Sequence, residues 1–136
     1  MLVITRRKNE SVMIGDDIEI IVLDEGTRVR LGVFAPEQLS VNKKELYETI
    51  PKEKIVRYEP AAGHKPDYKS KRTHVITRKI DESIMIGDDI EIMIVDVRRE
   101  GVRLGFRVEK QLAVYRKEIW EDIQKGIKPK SPINKK

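Results

Sequence analysis

The acidic residues of this chain of 136 residues include two adjacent pairs, Asp16-Asp17 and Asp88-Asp89, while basic residues gather in four short clusters. Paired carboxylates bind metals or work as acid and base when a histidine or a third carboxylate stands at ligand spacing. Neither pair has such a companion, and each follows a glycine between two strand-like runs, which is the composition of a turn. The chain has no cysteine and only two histidines, His64 and His74, so thiol nucleophiles, disulfides and soft-metal sites are excluded. No Ser-His-Asp order recurs and no glycine-rich phosphate loop is present. These absences argue against an enzyme and against a bound metal or cofactor.

The basic clusters offer a different chemistry. "TRRK" (5–8) and "TRK" (77–79) lie at the first strand-like run of each half, and "NKK" (42–44) and "YRK" (115–117) lie where a strand-like run gives way to a helical one. A single charge pair at a strand end is usually a solvated edge. Recurrence of both clusters in both halves points to a shared anion-binding surface, for which arginine supplies fixed planar donors toward phosphate and guanine.

The halves are copies. "VITRRKNESVMIGDDIEIIVLD" (3–24) matches "VITRKIDESIMIGDDIEIMIVD" (75–96), and after one extra residue "VRLGVFAPEQLSVNKKELYETI" (29–50) matches "VRLGFRVEKQLAVYRKEIWEDI" (102–123). Such a repeat must be settled before any fold argument. The chain divides into repeat one at 1–58, a linker at 59–72, repeat two at 73–127 and a basic, disordered tail at 128–136. A unit of about 50 residues is near the lower limit for an independent core and needs a staple. Without cysteine, that staple is the other copy.

Of the net charge of +5, the repeats contribute almost nothing, while the linker contributes +2 and the tail +4. Overall basicity is therefore a weak argument for nucleic acid, and any anion site rests on local clustering. No run approaches the roughly 20 apolar residues that span a bilayer, so a soluble cytoplasmic protein is expected.

Each repeat reads as about five strands and one C-terminal helix, a mainly β fold. "IEIIVL" sets Ile18, Ile20 and Val22 on one face and Glu19, Ile21 and Leu23 on the other, so a second layer or partner should cover the sheet. "DEGTR" and "DVRREG" are hairpin connections of unequal length. "KKELYETI" and "RKEIWEDI" place Leu46, Tyr47 and Ile50, and Ile119, Trp120 and Ile123, at helical spacing.

The ordered set Thr-Arg, Glu-Ser, Met-Ile-Gly-Asp, Val-Arg-Leu-Gly and Ala-Pro over residues 1–55, repeated without the Ala-Pro over 74–125, resembles the carbon storage regulator (CsrA/RsmA) family of bacterial RNA-binding translational regulators. The resemblance implies five-stranded units whose strands interleave in a dimer. Here the two repeats would supply both halves, as an intramolecular pseudo-dimer, with reciprocal pairing between two chains as the alternative. The 14 residues of 59–72 reach up to about 45 Å when extended. Tethering also sets an effective concentration in the millimolar range.

The resemblance further implies two RNA sites, each formed where the first strand of one unit runs beside the last strand of the other. They read GGA in single-stranded or hairpin-loop segments of mRNA near ribosome-binding sites and repress translation initiation. Exposed loop bases are the usual sequence-specific targets in RNA. Carried over by position, the first-strand contacts are Ile4, Thr5, Arg6 and Arg7, repeated as Ile76, Thr77, Arg78 and Lys79. The last-strand contacts are Val41, Asn42 and Lys43, repeated as Val114, Tyr115 and Arg116.

The key arginine at the helix start is thus Arg116 in repeat two but Lys43 in repeat one. Interleaving gives one site with Arg6, Arg7 and Arg116 and another with Arg78, Lys79 and Lys43, unequal by about 1–3 kcal/mol where the arginine grips a base with both prongs. Ala35-Pro36 is replaced by Val108-Glu109 in repeat two, which puts a negative charge near the presumed RNA path and opposes that ranking. A sequestering small RNA is a further partner the family suggests. The alternative function is a protein-interaction module with relaxed RNA binding, partnered by a FliW-like flagellar assembly factor.

Overall fold

Strand β1 (Leu2–Arg6) finds no partner inside its own repeat: in the computed structural model it pairs with β9 (Gly101–Arg107), from Leu2 opposite Phe106 to Arg6 opposite Val102. The structure describes residues 1–59 and 70–126. Most of the expected linker and the whole expected tail lie outside them.

The same exchange occurs four times. One antiparallel sheet runs β1, β9, β8 (Ile90–Arg98), β7 (Ser83–Ile86) and β5 (Val41–Lys43). The other runs β10 (Val114–Arg116), β2 (Ser11–Ile14), β3 (Ile18–Asp24), β4 (Val29–Pro36) and β6 (Lys71–Arg78). Each sheet therefore has three central strands from one repeat, flanked by the first and last strands of the other. The expected interleaved pseudo-dimer forms within one chain. Strand β6 starts at Lys71, so two residues assigned to the linker pair with Pro36 and Ala35.

Alternation along the strands explains the core. Ile18, Ile20 and Val22 point inward and are fully buried, together with Val29, Leu31, Val33, Ile84, Ile86, Leu104 and Phe106 from the other strands. The second sheet covers the inward face of β3, as the expected second layer, and the opposite face is closed locally. Ile21 and Leu23 are half-buried around Gly32, where a Cβ would stand 2.8 Å from Ile21 Cγ2. Two apolar side chains fold over a bare backbone and shield each other.

The repeated octapeptide "MIGDDIEI" forms the inner hairpins β2–β3 and β7–β8. Gly15 and Gly87 adopt φ values of +60° and +61°, open to glycine at little cost. Their N–H groups donate to the other repeat, to Ala113 and Ser40 carbonyls, at 2.8 Å in both cases. The Gly-Asp-Asp pairs are turns, as read, and also docking points between repeats.

The helices differ. In repeat two, α2 (Lys117–Gln124) runs for eight residues, and Trp120 Nε1 donates to Asp16 Oδ1 at 3.1 Å. In repeat one, α1 (Lys44–Tyr47) stops after four, short of the expected Ile50. Pro51 stands where repeat two has Gln124, and the residue before a proline is driven from the helical region. Thr49 Oγ1 closes the end by donating to the Leu46 carbonyl at 2.7 Å.

After a short 3-10 turn at Lys52–Lys54, residues 55–58 cross between the two Gly-Asp-Asp turns. Val56 N–H donates to Ser40 Oγ at 2.8 Å. Arg57 forms ion pairs with Asp88 at 2.8 Å, Asp89 at 2.6 Å and Glu109 at 3.3 Å, and the Tyr58 hydroxyl donates to Asp17 Oδ2 at 2.7 Å. This crossing has no counterpart among the described residues of repeat two.

Light scattering on the purified chain should return its own mass, 15.8 kDa; twice that value would indicate reciprocal pairing. Ile20→Ala should cost about 2–5 kcal/mol in urea unfolding, and the unfolding should remain one transition for both repeats.

Candidate nucleic-acid interface

Exchange of the outer strands leaves β1 and β10 at one side of the molecule, each the edge of its sheet, and β5 and β6 at the other. An edge strand carries main-chain donors and acceptors that no neighbouring strand takes. Both sides have the same internal bracing. Arg6 and Arg78 are buried, with 6% and 4% of their surface exposed. Arg6 donates from both terminal nitrogens to Glu118, at 2.8 and 3.0 Å, and also to the Ser11 carbonyl at 3.1 Å. Arg78 repeats this toward Glu45, at 2.7 and 2.8 Å, and toward the Ser83 carbonyl at 3.1 Å.

Beneath each arginine lies a second cross-repeat link. Ser11 Oγ and Lys117 Nζ converge on Glu19, at 2.7 and 3.1 Å, and Ser83 Oγ and Lys44 Nζ converge on Glu91, at 2.8 and 3.2 Å. The Glu-Ser motif thus has a physical role. Its glutamate, Glu10 or Glu82, accepts from the Arg7 or Lys79 N–H at 2.7 or 2.8 Å and fixes the turn after the first strand.

The electrostatics follow. The hydrogen bonds from Arg78 hold the Glu45 carboxylate down, from its ordinary 4.5 to about 2. Glu118 is lowered likewise by Arg6, and the carboxylate of Glu45 raises Arg78 in turn. Both glutamates are largely solvent-exposed, so screening keeps each pair's contribution modest.

The site residues expected from sequence divide into two groups. Ile4 and Val114 are core side chains, 1% and 0% exposed, and Arg6 and Arg78 are committed to Glu118 and Glu45. These four do not present their side chains to a ligand; they position the edge strands. Thr5, Ile76, Thr77, Val41, Asn42, Tyr115 and Arg116 are half-buried, and Arg7, Lys79 and Lys43 are exposed.

On the β5–β6 side a cleft of about 220 Å³ is lined by Arg28, Lys43, Thr77, Arg78, Lys79 and Glu82. On the other side, Arg6 links β1 to Ser11, whose neighbour Val12 pairs with Arg116. First and last strands of opposite repeats therefore meet on both sides. Lys43 and Arg116 occupy equivalent backbone, φ −57°, ψ 140° and φ −59°, ψ 142°, each just before a helix. Their difference is confined to the side chain.

Strand β1 runs from Leu2 opposite Phe106 to Arg6 opposite Val102, so Glu109 follows Arg107 at the Leu2 end, away from Arg7. It is also paired, with Arg57 at 3.3 Å and with Gln111 at 2.7 Å. Sequence reading missed Glu45 and Glu118, although a glutamate two residues after the last strand in both repeats was the available signal. It also missed Arg28, which has no counterpart to draw attention to it. Among the described residues no acidic, histidine or cysteine group of three could hold a metal, and no helix is long and apolar enough to cross a membrane.

Replacing Glu45 by glutamine tests the bracing. Because its carboxylate titrates lower in the folded chain, the pair stabilises fully above pH 4.5 and is lost as pH falls toward 2. Urea unfolding of Glu45→Gln should therefore show a shallower loss of stability across that window than the parent chain.

Comparison with known proteins extends this geometry. The CsrA family, described as a global regulator protein family, matches residues 1–52 and again 74–125. The translational regulator CsrA of Leptospira biflexa is 52% identical over 54 residues, 39% of this chain and 68% of its own length. That of Brachyspira hyodysenteriae is 48% identical over 50 residues, 37% of this chain and 61% of its own. That of Syntrophomonas wolfei is 45% identical over 64 residues, 46% of this chain and 84% of its own. No solved structure matches the chain. With both repeats matched and the ordered motifs on paired strands, the chain belongs to the CsrA family of global regulator proteins and carries the family's module twice.

Proposed function

We propose that this chain is an RNA-binding translational regulator that binds GGA-containing single-stranded or hairpin-loop segments of mRNA and represses initiation from nearby ribosome-binding sites. The observation that carries the reading is the pair of edges where first and last strands of opposite repeats meet, each flanked by cations that form no close ion pair among the described residues: Arg7 and Arg116 on one side, Lys43 and Lys79 on the other. Relatives named translational regulator support it. Free main-chain groups on β1 and β6 suit hydrogen bonding to the edges of unstacked bases, and the cations suit the phosphates between them. The protein acts in the cytoplasm as a single chain.

The two sites are unequal. Arg116 keeps a bidentate fork at the helix start, and Lys43, on matching backbone, offers only a point charge. Arg57, 3.3 Å from Glu109, offsets part of the charge that opposes this ranking. The site of β1 and β10 is the stronger.

A hairpin with GGA in its loop, titrated beside a loop-scrambled control in near-physiological salt, is the direct test. Arg116→Ala should weaken loop-dependent binding by about 1–3 kcal/mol, with a smaller loss for Lys43→Ala. Equal, weak binding to both hairpins, indifferent to either substitution, would overturn the RNA reading and direct attention to a protein partner.

A further inference from the structure

Arg28 stands immediately before β4, and Val29 pairs with Arg78, which brings Arg28 beside Lys79. Its side chain lines the cleft of about 220 Å³ with Lys43, Thr77 and Lys79. Among the described residues the side chains of Arg28, Lys43 and Lys79 have no hydrogen-bond or ion-pair partner. The carboxylate that lines the cleft, Glu82, is taken up by the Lys79 N–H at 2.8 Å and by Arg78 at 3.7 Å. Three cations gathered at one cleft, with Glu45 acting on Lys43 from its rim, favour the entry of an anion.

The opposite side cannot host an equivalent side chain. Gly101 occupies the matching position, as the first residue of β9, the strand that pairs with β1, and has φ +139°. A Cβ there would lie 2.7 Å from the Arg6 carbonyl oxygen. The connection preceding it is one residue longer, and Arg7 instead reaches the Glu100 carbonyl at 3.5 Å. The two clefts differ in construction and not merely in one substituted residue.

We infer that Arg28 is an RNA-phosphate ligand of the β5–β6 site, supplying from the β3–β4 hairpin the guanidinium that Lys43 does not supply from the helix start. The inference rests on the proposed RNA function and deepens it. A phosphate seated among Arg28, Lys43 and Lys79, with the Thr77 hydroxyl alongside, sets its negative charge against all three cations at once. The weaker site is thereby weighted toward backbone contacts, with correspondingly greater dependence on salt.

The test uses the full chain carrying Arg116→Ala, so that binding of the looped GGA hairpin reports chiefly the β5–β6 site. Adding Arg28→Ala should weaken binding about tenfold at low salt and reduce the slope of log affinity against log salt by about 0.7, the value for one phosphate contact on a single strand. Arg28→Lys should restore most of both. Arg30→Ala, an exposed change two residues further on in β4 and outside the cleft lining, should do neither. Equal behaviour of Arg28→Ala and Arg30→Ala overturns the inference. So does an Arg116→Ala chain that binds no RNA while the parent binds well, an outcome that leaves the proposed function standing. A parent chain without preference for the looped GGA overturns the function and this inference with it.

Discussion

Everything in the molecule depends on where the outer strands find their hydrogen bonds. A strand buried on one edge without a partner leaves main-chain groups unsatisfied at a cost of about 1–3 kcal/mol each. Strands β1 and β5 meet that need only on β9 and β7, and β6 and β10 only on β4 and β2. Neither repeat is a complete sheet without the other. The single core of isoleucine, valine and leucine side chains follows from this exchange, because each sheet already contains both repeats when the two faces close on each other. The buried arginines are fitted to the same junctions and join the edge strands to the helices of the opposite repeat.

Much of this was legible in the residues. The doubled octapeptide, the lack of any covalent staple and the two-sided strands implied a partner, and resemblance to a known family supplied the interleaving that periodicity cannot express. The limits are equally physical. Arg6 and Arg78 look like surface cations in a linear string, because nothing local says that a glutamate more than 30 residues away will enclose each of them. Glu109 looks unpaired in the string until Arg57, from the other repeat, is placed beside it. Helix length was misjudged in repeat one although the cause, Pro51, stands in the sequence.

Carrying both modules in one chain changes what the two edges are free to become. In a dimer of identical chains every substitution appears at both sites, so a residue that suits one must be tolerated at the other. Here Lys43 and Arg116, Arg28 and Gly101, and Pro51 and Gln124 each occupy matched positions with different chemistry. The shared parts are those that hold the sheets together: the Gly-Asp-Asp turns, the serine–glutamate–lysine links and the arginine braces. Departures concentrate at the edges and in the connections, where they alter recognition without loosening the core.

The pairing of β1 with β9 also has a consequence for biosynthesis. Strand β1, once it leaves the ribosome, must wait for nearly 100 further residues before its neighbour exists. At about 5–20 residues per second, that interval lasts on the order of 5–20 seconds. During it, repeat one emerges with open edges, and on a crowded polysome the nearest complementary strand belongs to another nascent chain. The crossing at Arg57 and Tyr58 ties the end of repeat one to turns on both sides of the junction, within the same polypeptide. Fidelity of assembly is then a contest between the pace of translation and encounters among neighbouring ribosomes, with the tether favouring the chain's own second half.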